Sequence, residues 1–201
     1  MYCKMSLFDT STRVPLIVRD PSAAADATRG TRTAAPAQLL DLYPTLAALA
    51  GVPAPATAGT MGRDLTPLLR APSAPTAAAL AAGEAYSQQA KCYQKDKPTP
   101  HPTPEQRTLQ ATMTCEFVDR EDMDFMGYSV RTAEWRYTEW APWNGTALGP
   151  RWDALVGREL YDHRAGTDPW NNENDNLVDA AGHGPVVTAL QAKLRAHFSS
   201  S

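Results

Sequence analysis

The chain has no run of about eighteen apolar residues, the minimum for a membrane helix, so nothing in it is expected to cross a bilayer. It has no surplus of positive charge. Its 19 Lys and Arg stand against 22 Asp and Glu, a formal net charge of -3. That balance gives no reason to expect nucleic acid or an anionic membrane as partner, although one well-placed cation can bind an anion whatever the total. Residues 1–18 lack a basic stretch followed by an apolar run and a small-residue cleavage site. They read as the inside of a domain, not as a signal peptide. Cysteine is scarce, at three residues, and leaves one thiol over from any pairing. Cys92 and Cys115 flank a polar, Pro-rich stretch of the kind a disulfide often closes. Their pairing stays open, because geometry cannot be judged from spacing.

Familiar catalytic motifs are missing too. No G-x-S-x-G elbow, P-loop, H-E-x-x-H or CxxC occurs. The four histidines, His101, His163, His183 and His197, lack ligand spacing and read as surface or loop residues. The loop 168–179 is rich in Asp and Asn, hard oxygen ligands that suit calcium, but it lacks the order of an EF-hand. Asx-turns and helix caps explain it more simply. Asn144-Gly145-Thr146 is an N-glycosylation acceptor sequon, a sign that leans towards the secretory route.

What is present is ordinary globular material, 43% hydrophobic and 20% charged, enough for one large domain or two small ones. Arg13-Val14-Pro15-Leu16-Ile17-Val18, bounded by Asp20-Pro21, predicts a buried strand with Pro15 at its start. Asp41 is placed as a helix N-cap, with Pro44 in the first turn. Leu42, Leu46 and Leu49 then form one apolar face, and Gly51 with Pro53 ends the helix. Leu65, Leu68 and Leu69 make a shorter apolar group. A short strand is expected over 83–88, and an exposed loop over 95–104. The segments 126–132 and 135–140, rich in aromatic and β-branched residues, predict a hairpin turning near Ala133-Glu134. Its aromatics read as core and cross-strand packing. Glu159-Leu160-Tyr161-Asp162 predicts a further strand. A closing helix from Pro185 puts Val187, Leu190, Leu194 and Phe198 on one face. These blocks suggest an antiparallel sheet with a helix packed on it.

Longer stretches carry a resemblance. Tyr2-Cys3-Lys4-Met5-Ser6-Leu7-Phe8-Asp9, running into Arg13-Val14-Pro15-Leu16-Ile17, resembles the sulfatase segment in which W-x-K-x-S-x-F/Y leads through an acidic residue to R/H-V-P-L-I. Gln38-Leu39-Leu40-Asp41-Leu42-Tyr43-Pro44-Thr45-Leu46 and Gly62-Arg63-Asp64-Leu65-Thr66-Pro67-Leu68-Leu69 resemble the next two landmarks of that family. Met126-Gly127-Tyr128-Ser129-Val130-Arg131-Thr132, Trp135-Arg136-Tyr137-Thr138-Glu139-Trp140 and Glu159-Leu160-Tyr161-Asp162-His163 are similar to the iduronate-2-sulfatase group in order and wording. So is the Asp168-Pro169 ending with its Asn-rich 172–177.

The resemblance implies an α/β fold: the C-terminal portion of an alkaline-phosphatase-like sulfatase, with a smaller α+β subdomain of antiparallel sheet and terminal helix. Residues 1–70 would be the remnant of the catalytic domain, 71–125 a Pro/Ala-rich, poorly ordered connection, and 126–201 the sheet subdomain. It implies hydrolysis of a sulfate ester, with the 2-O-sulfate of iduronate in heparan or dermatan sulfate as candidate, and a lysosomal or secreted location. The family's nucleophile is a formylglycine made from the Cys of C-x-P-x-R, beside a calcium ion. Here none of Cys3, Cys92 or Cys115 precedes x-P-x-R. Most of the catalytic apparatus is therefore expected upstream of Met1, no metal ligand or calcium is expected on this chain, and the chain alone is expected to be inactive. Asp162-His163 echoes the calcium-binding D-H pair but falls in the C-terminal strand motif and is set aside. Lys4, the lysine of W-x-K, is the one substrate-binding residue the resemblance assigns. The competing readings are a non-catalytic product that binds a sulfated glycan or a partner, and another ester hydrolase of the same superfamily.

Overall fold

The computed structural model describes residues 6–22, 26, 28–53, 62–72, 74–92, 115, 118–164 and 173–199. Its elements are α1 (Asp9–Thr12), α2 (Leu42–Ala50), α3 (Thr66–Arg70), α4 (Pro75–Ala81), β1 (Ala85–Lys91), β2 (Phe125–Arg131), β3 (Trp135–Asn144), β4 (Gly149–Pro150), β5 (Gly157–Asp162) and α5 (Gly184–Ser199). Two compact units result. One comprises Met1–Val14, Tyr86–Val130 and Trp135–Ser201, the other Pro15–Ala85 and Arg131–Glu134. The architecture is mixed α/β, with an antiparallel sheet and a C-terminal helix, as the sequence predicts.

The first unit is built on β3. The sheet runs β1-β2-β3-β4, and β5 also pairs with β3. β5 is antiparallel to the first half of β3, from Trp135↔Asp162 to Trp140↔Gly157, and β4 pairs with its last two residues. Side chains alternate across a strand, so β3 presents two sets of residues, and both are buried from Trp135 to Glu139. One set faces α5. Tyr137 joins Met126, Tyr128, Val130, Trp135 and Leu160 from the sheet, and Val187, Leu190 and Leu194 from the helix, in a single apolar core. The helical residues recur at i, i+3 and i+7, the spacing that makes one stripe. The same side buries a charge. Glu139 is fully buried, accepting from Tyr137 Oη at 2.8 Å and from Arg195 Nε at 2.9 Å, so the helix is tied to the strand by an ion pair as well as by packing.

The other set on β3 is Arg136, Thr138 and Trp140. Residues 6–12 cover this face. A Cβ on Gly127 would lie 2.6 Å from the Trp140 ring and 2.8 Å from Leu7 Cδ1, so only glycine leaves room for Leu7, itself 3% exposed.

In the second unit Asp41 is fully buried, and its carboxylate accepts from the Arg63 backbone N–H at 2.7 Å and from Arg63 Nη2 at 3.0 Å. The Asp-Leu-Tyr-Pro and Gly-Arg-Asp-Leu stretches are thereby fastened together. Gly62 makes this possible, since a Cβ there would lie 1.9 Å from the Leu40 carbonyl oxygen. Arg70 Nε donates to Asp20 at 2.6 Å and holds that carboxyl down at about 2.

Three expectations are corrected. Among the described residues the run 13–18 forms no buried strand. It pairs with no described strand, and Val14, Leu16 and Ile17 are exposed, Ile17 at 91%. An apolar run becomes a strand only where a neighbour supplies the other half of its ladder. Asp41 holds the N-cap position of α2 but does not cap it with its side chain: it has helical backbone angles, ends a 3-10 turn over Leu39–Asp41, and spends its carboxylate on Arg63 and the Gln38 N–H. The buried residues of α2 are Thr45 and Ala47, not Leu46, which is 59% exposed. Thr45 sits one turn from Asp41 and binds the Leu65 N–H at 2.9 Å, so this polar link sets the helix's rotation. The C-terminus of α2 is as expected, with Gly51 in the left-handed region at φ 69.

Candidate functional site

On the covered polar face of the first unit four charged or titratable groups converge: Asp9 of α1, Arg136 of β3, His163 just after β5, and Glu173. Strand β3 buries the Arg136 guanidinium to 1% exposure, a position no cation holds without counter-charge. Its Nε makes a close ion pair with Glu173 Oε1. Nη1 donates to Thr138 Oγ1 at 2.8 Å and lies 3.7 Å from Glu159 Oε2. The guanidinium plane sits between two rings, 4.9 Å from the Phe8 centroid and 4.6 Å from that of Tyr161. Burial, above all, pushes the Tyr161 hydroxyl up to about 12, so the ring faces the cation as a neutral phenol.

Glu173 links this strand to the N-terminal segment. Its Oε2 accepts the Asp9 backbone N–H at 2.6 Å, while Oε1 also lies 3.1 Å from His163 Nε2. His163 Nδ1 is 3.7 Å from Asp9 Oδ2. Burial pushes the Glu173 carboxyl up, but the bond from His163 and the charge of Arg136 outweigh it and hold the group below the usual range. Segment 6–12 is thus fastened at three successive residues: Leu7 against Gly127 and Trp140, Phe8 against Tyr161 at 5.9 Å, and Asp9 on Glu173.

Asp9, His163 and Glu173 also offer three ligand atoms within 4.8 Å of one another. The set does not fit calcium, which takes six to eight oxygens. It suits a smaller divalent ion no better. Both Glu173 oxygens already accept hydrogen bonds, and the buried Arg136 cation occupies the space beside them. The arrangement is an ion-pair clamp.

Sequence-assigned Lys4 lies outside the described residues, as do Cys3 and His101. His163, expected at the surface, is instead 3% exposed at its side chain, because the polar face of the sheet is covered. His183 packs edge-on against Trp135, and His197 stacks on Tyr86 at 3.7 Å. In the Asn-rich loop, Asn176 acts as the turn reading expects. Its Oδ1 accepts from the Leu160 and Val178 N–H groups, and its Nδ2 donates to the Arg158 carbonyl. Arg136 and Glu173 were not singled out from sequence. A signal existed: charged residues inside an aromatic strand, as in Trp135-Arg136-Tyr137-Thr138-Glu139-Trp140, need buried partners.

No protein-family model matches the chain. Over 68 residues it is 40% identical to Arylsulfatase K of Danio rerio, a stretch that covers 34% of this chain and 12% of the relative. Over that stretch the chain is similar to a sulfatase. Similar solved structures include a Bacteroides thetaiotaomicron protein described as a sulfatase, at 21% identity and TM-score 0.44, and a 2-O GAG sulfatase, at 20% and 0.44. Each likeness covers 80% of this chain and 24% of the other. At that score it says nothing of activity. The chain spans only a small part of the length of these relatives.

Proposed function

We propose that this chain is the C-terminal part of a sulfatase with an alkaline-phosphatase-like fold, in which Lys4 binds the substrate's sulfate. The observation that supports the reading is the 40% identity to Arylsulfatase K over 68 residues. An ammonium is a compact charge with three donors, suited to a tetrahedral sulfate whose leaving oxygen gains charge. The substrate proposed is a sulfated saccharide, with 2-O-sulfated iduronate in heparan or dermatan sulfate as candidate. Calcium, if the whole enzyme uses it, would be held by groups other than the clamp. The location proposed is lysosomal or secreted. Among the described residues no helix is long and apolar enough to cross a membrane.

Turnover of an aryl sulfate, by the purified 201-residue chain and by a longer protein that contains it, tests the reading. Sulfate release by the longer protein alone is the expected result. Release by the 201-residue chain would show that the chemistry lies in these residues, and no release by either would remove the sulfatase reading.

A further inference from the structure

The tip of the β3–β4 hairpin carries a motif that the clamp and the sulfatase reading do not use. Asn144 is the last residue of β3, pairs with Gly149, and is exposed, as is Thr146. Its Oδ1 accepts from the backbone N–H groups of Thr146 at 3.0 Å and Ala147 at 3.1 Å, an Asx-turn that folds the sequon back on itself. That leaves Nδ2, the atom a glycan would take, with no hydrogen bond among the described residues. Gly145 is the residue the tip demands, since a Cβ there would lie 1.9 Å from the Glu121 carbonyl oxygen. Leu148 closes the loop in the left-handed region at φ 49.

A second, independent observation points to the same chemistry. Cys92 and Cys115 are joined in a disulfide, a bond that forms and persists in oxidising compartments, where sequons are also modified. The position is compatible with the rest of the unit. Asn144 lies eight residues along β3 from Arg136, about 26 Å at the usual strand rise, so a sugar there stays clear of segment 6–12.

We infer that Asn144 is a site of N-linked glycosylation, carried on the hairpin tip of a chain that passes through an oxidising compartment. Asn144-Gly145-Thr146 is the sole N-x-S/T sequon in the sequence, so one mass shift reads one site. The test directs the 201-residue chain into the secretory pathway of animal cells behind a cleavable leader, scores only leader-cleaved material, and treats it with peptide N-glycosidase. Sugar addition precedes folding, so the readout does not depend on a stable product. The expected result is a single enzyme-sensitive shift, lost in Asn144→Gln and Thr146→Ala and kept in Thr146→Ser. The glycosylated and enzyme-treated chains should also melt at the same temperature, because Nδ2 holds nothing. Leader-cleaved wild-type chain without the shift would overturn the inference.

Discussion

The backbone N–H of Asp9 donates to the carboxylate of Glu173 at 2.6 Å, across 164 residues of sequence. The same carboxylate is the close counter-ion of a fully buried Arg136. One side chain thus both neutralises the strand and holds the N-terminal segment.

Glu173→Gln keeps the shape and removes the charge. Breaking one side of a buried ion pair costs about 3–5 kcal/mol, and Glu159 at 3.7 Å compensates only in part. We expect a loss of about 2–4 kcal/mol in denaturant unfolding, with faster amide exchange in residues 6–12 than in β3. Unchanged exchange in 6–12 would show that Glu173 does not hold the segment. Acid should act in the same direction. The Glu173 carboxyl is held below its ordinary value, so its contribution is fully present above the unfolded value of about 4.3 and is lost as pH falls through the folded one. The clamp should therefore survive mild acidity.

His197 behaves differently. Burial lowers its pKa, and it stacks parallel on Tyr86 at 3.7 Å. A base whose folded pKa is depressed stays neutral in the fold, so its contribution is present above the unfolded value of about 6.5 and is lost as pH falls. His197→Phe should keep the stack and remove this titration. Unfolding free energies at pH 7.5 and pH 5.5 should differ less in the variant than in the parent chain. An equal difference in both would assign the acid sensitivity to other groups.

Much of the first unit was legible because its signals are local. The aromatic and β-branched runs at 126–132 and 135–140 became β2 and β3, with the turn where it was expected. Val187, Leu190 and Leu194 pack on the core as their spacing requires. What failed was non-local. The run 13–18 looks like a strand, but no ladder partner can be read from the run itself. Asp41 takes the N-cap position as expected, but Arg63, 22 residues later, claims its carboxylate. Arg136 and Glu173, 37 residues apart, leave no periodic trace of their pairing. α4 had a start signal that went unused, Pro75 in the first turn of an Ala-rich stretch. The residue expected at the site, Lys4, was reached through resemblance, while the groups that fasten its neighbours came only from the folded chain.

The most direct test of the account is kcat/KM for an aryl sulfate in a longer, active protein that contains this chain, measured for Lys4→Ala beside the unaltered enzyme. Loss of a charge-stabilising donor should lower kcat/KM by about tenfold to a thousandfold. The melting temperature should stay unchanged, since the clamp at Leu7, Phe8 and Asp9 is untouched. Unaltered kcat/KM in a well-folded Lys4→Ala enzyme would contradict the claim that Lys4 binds the substrate's sulfate.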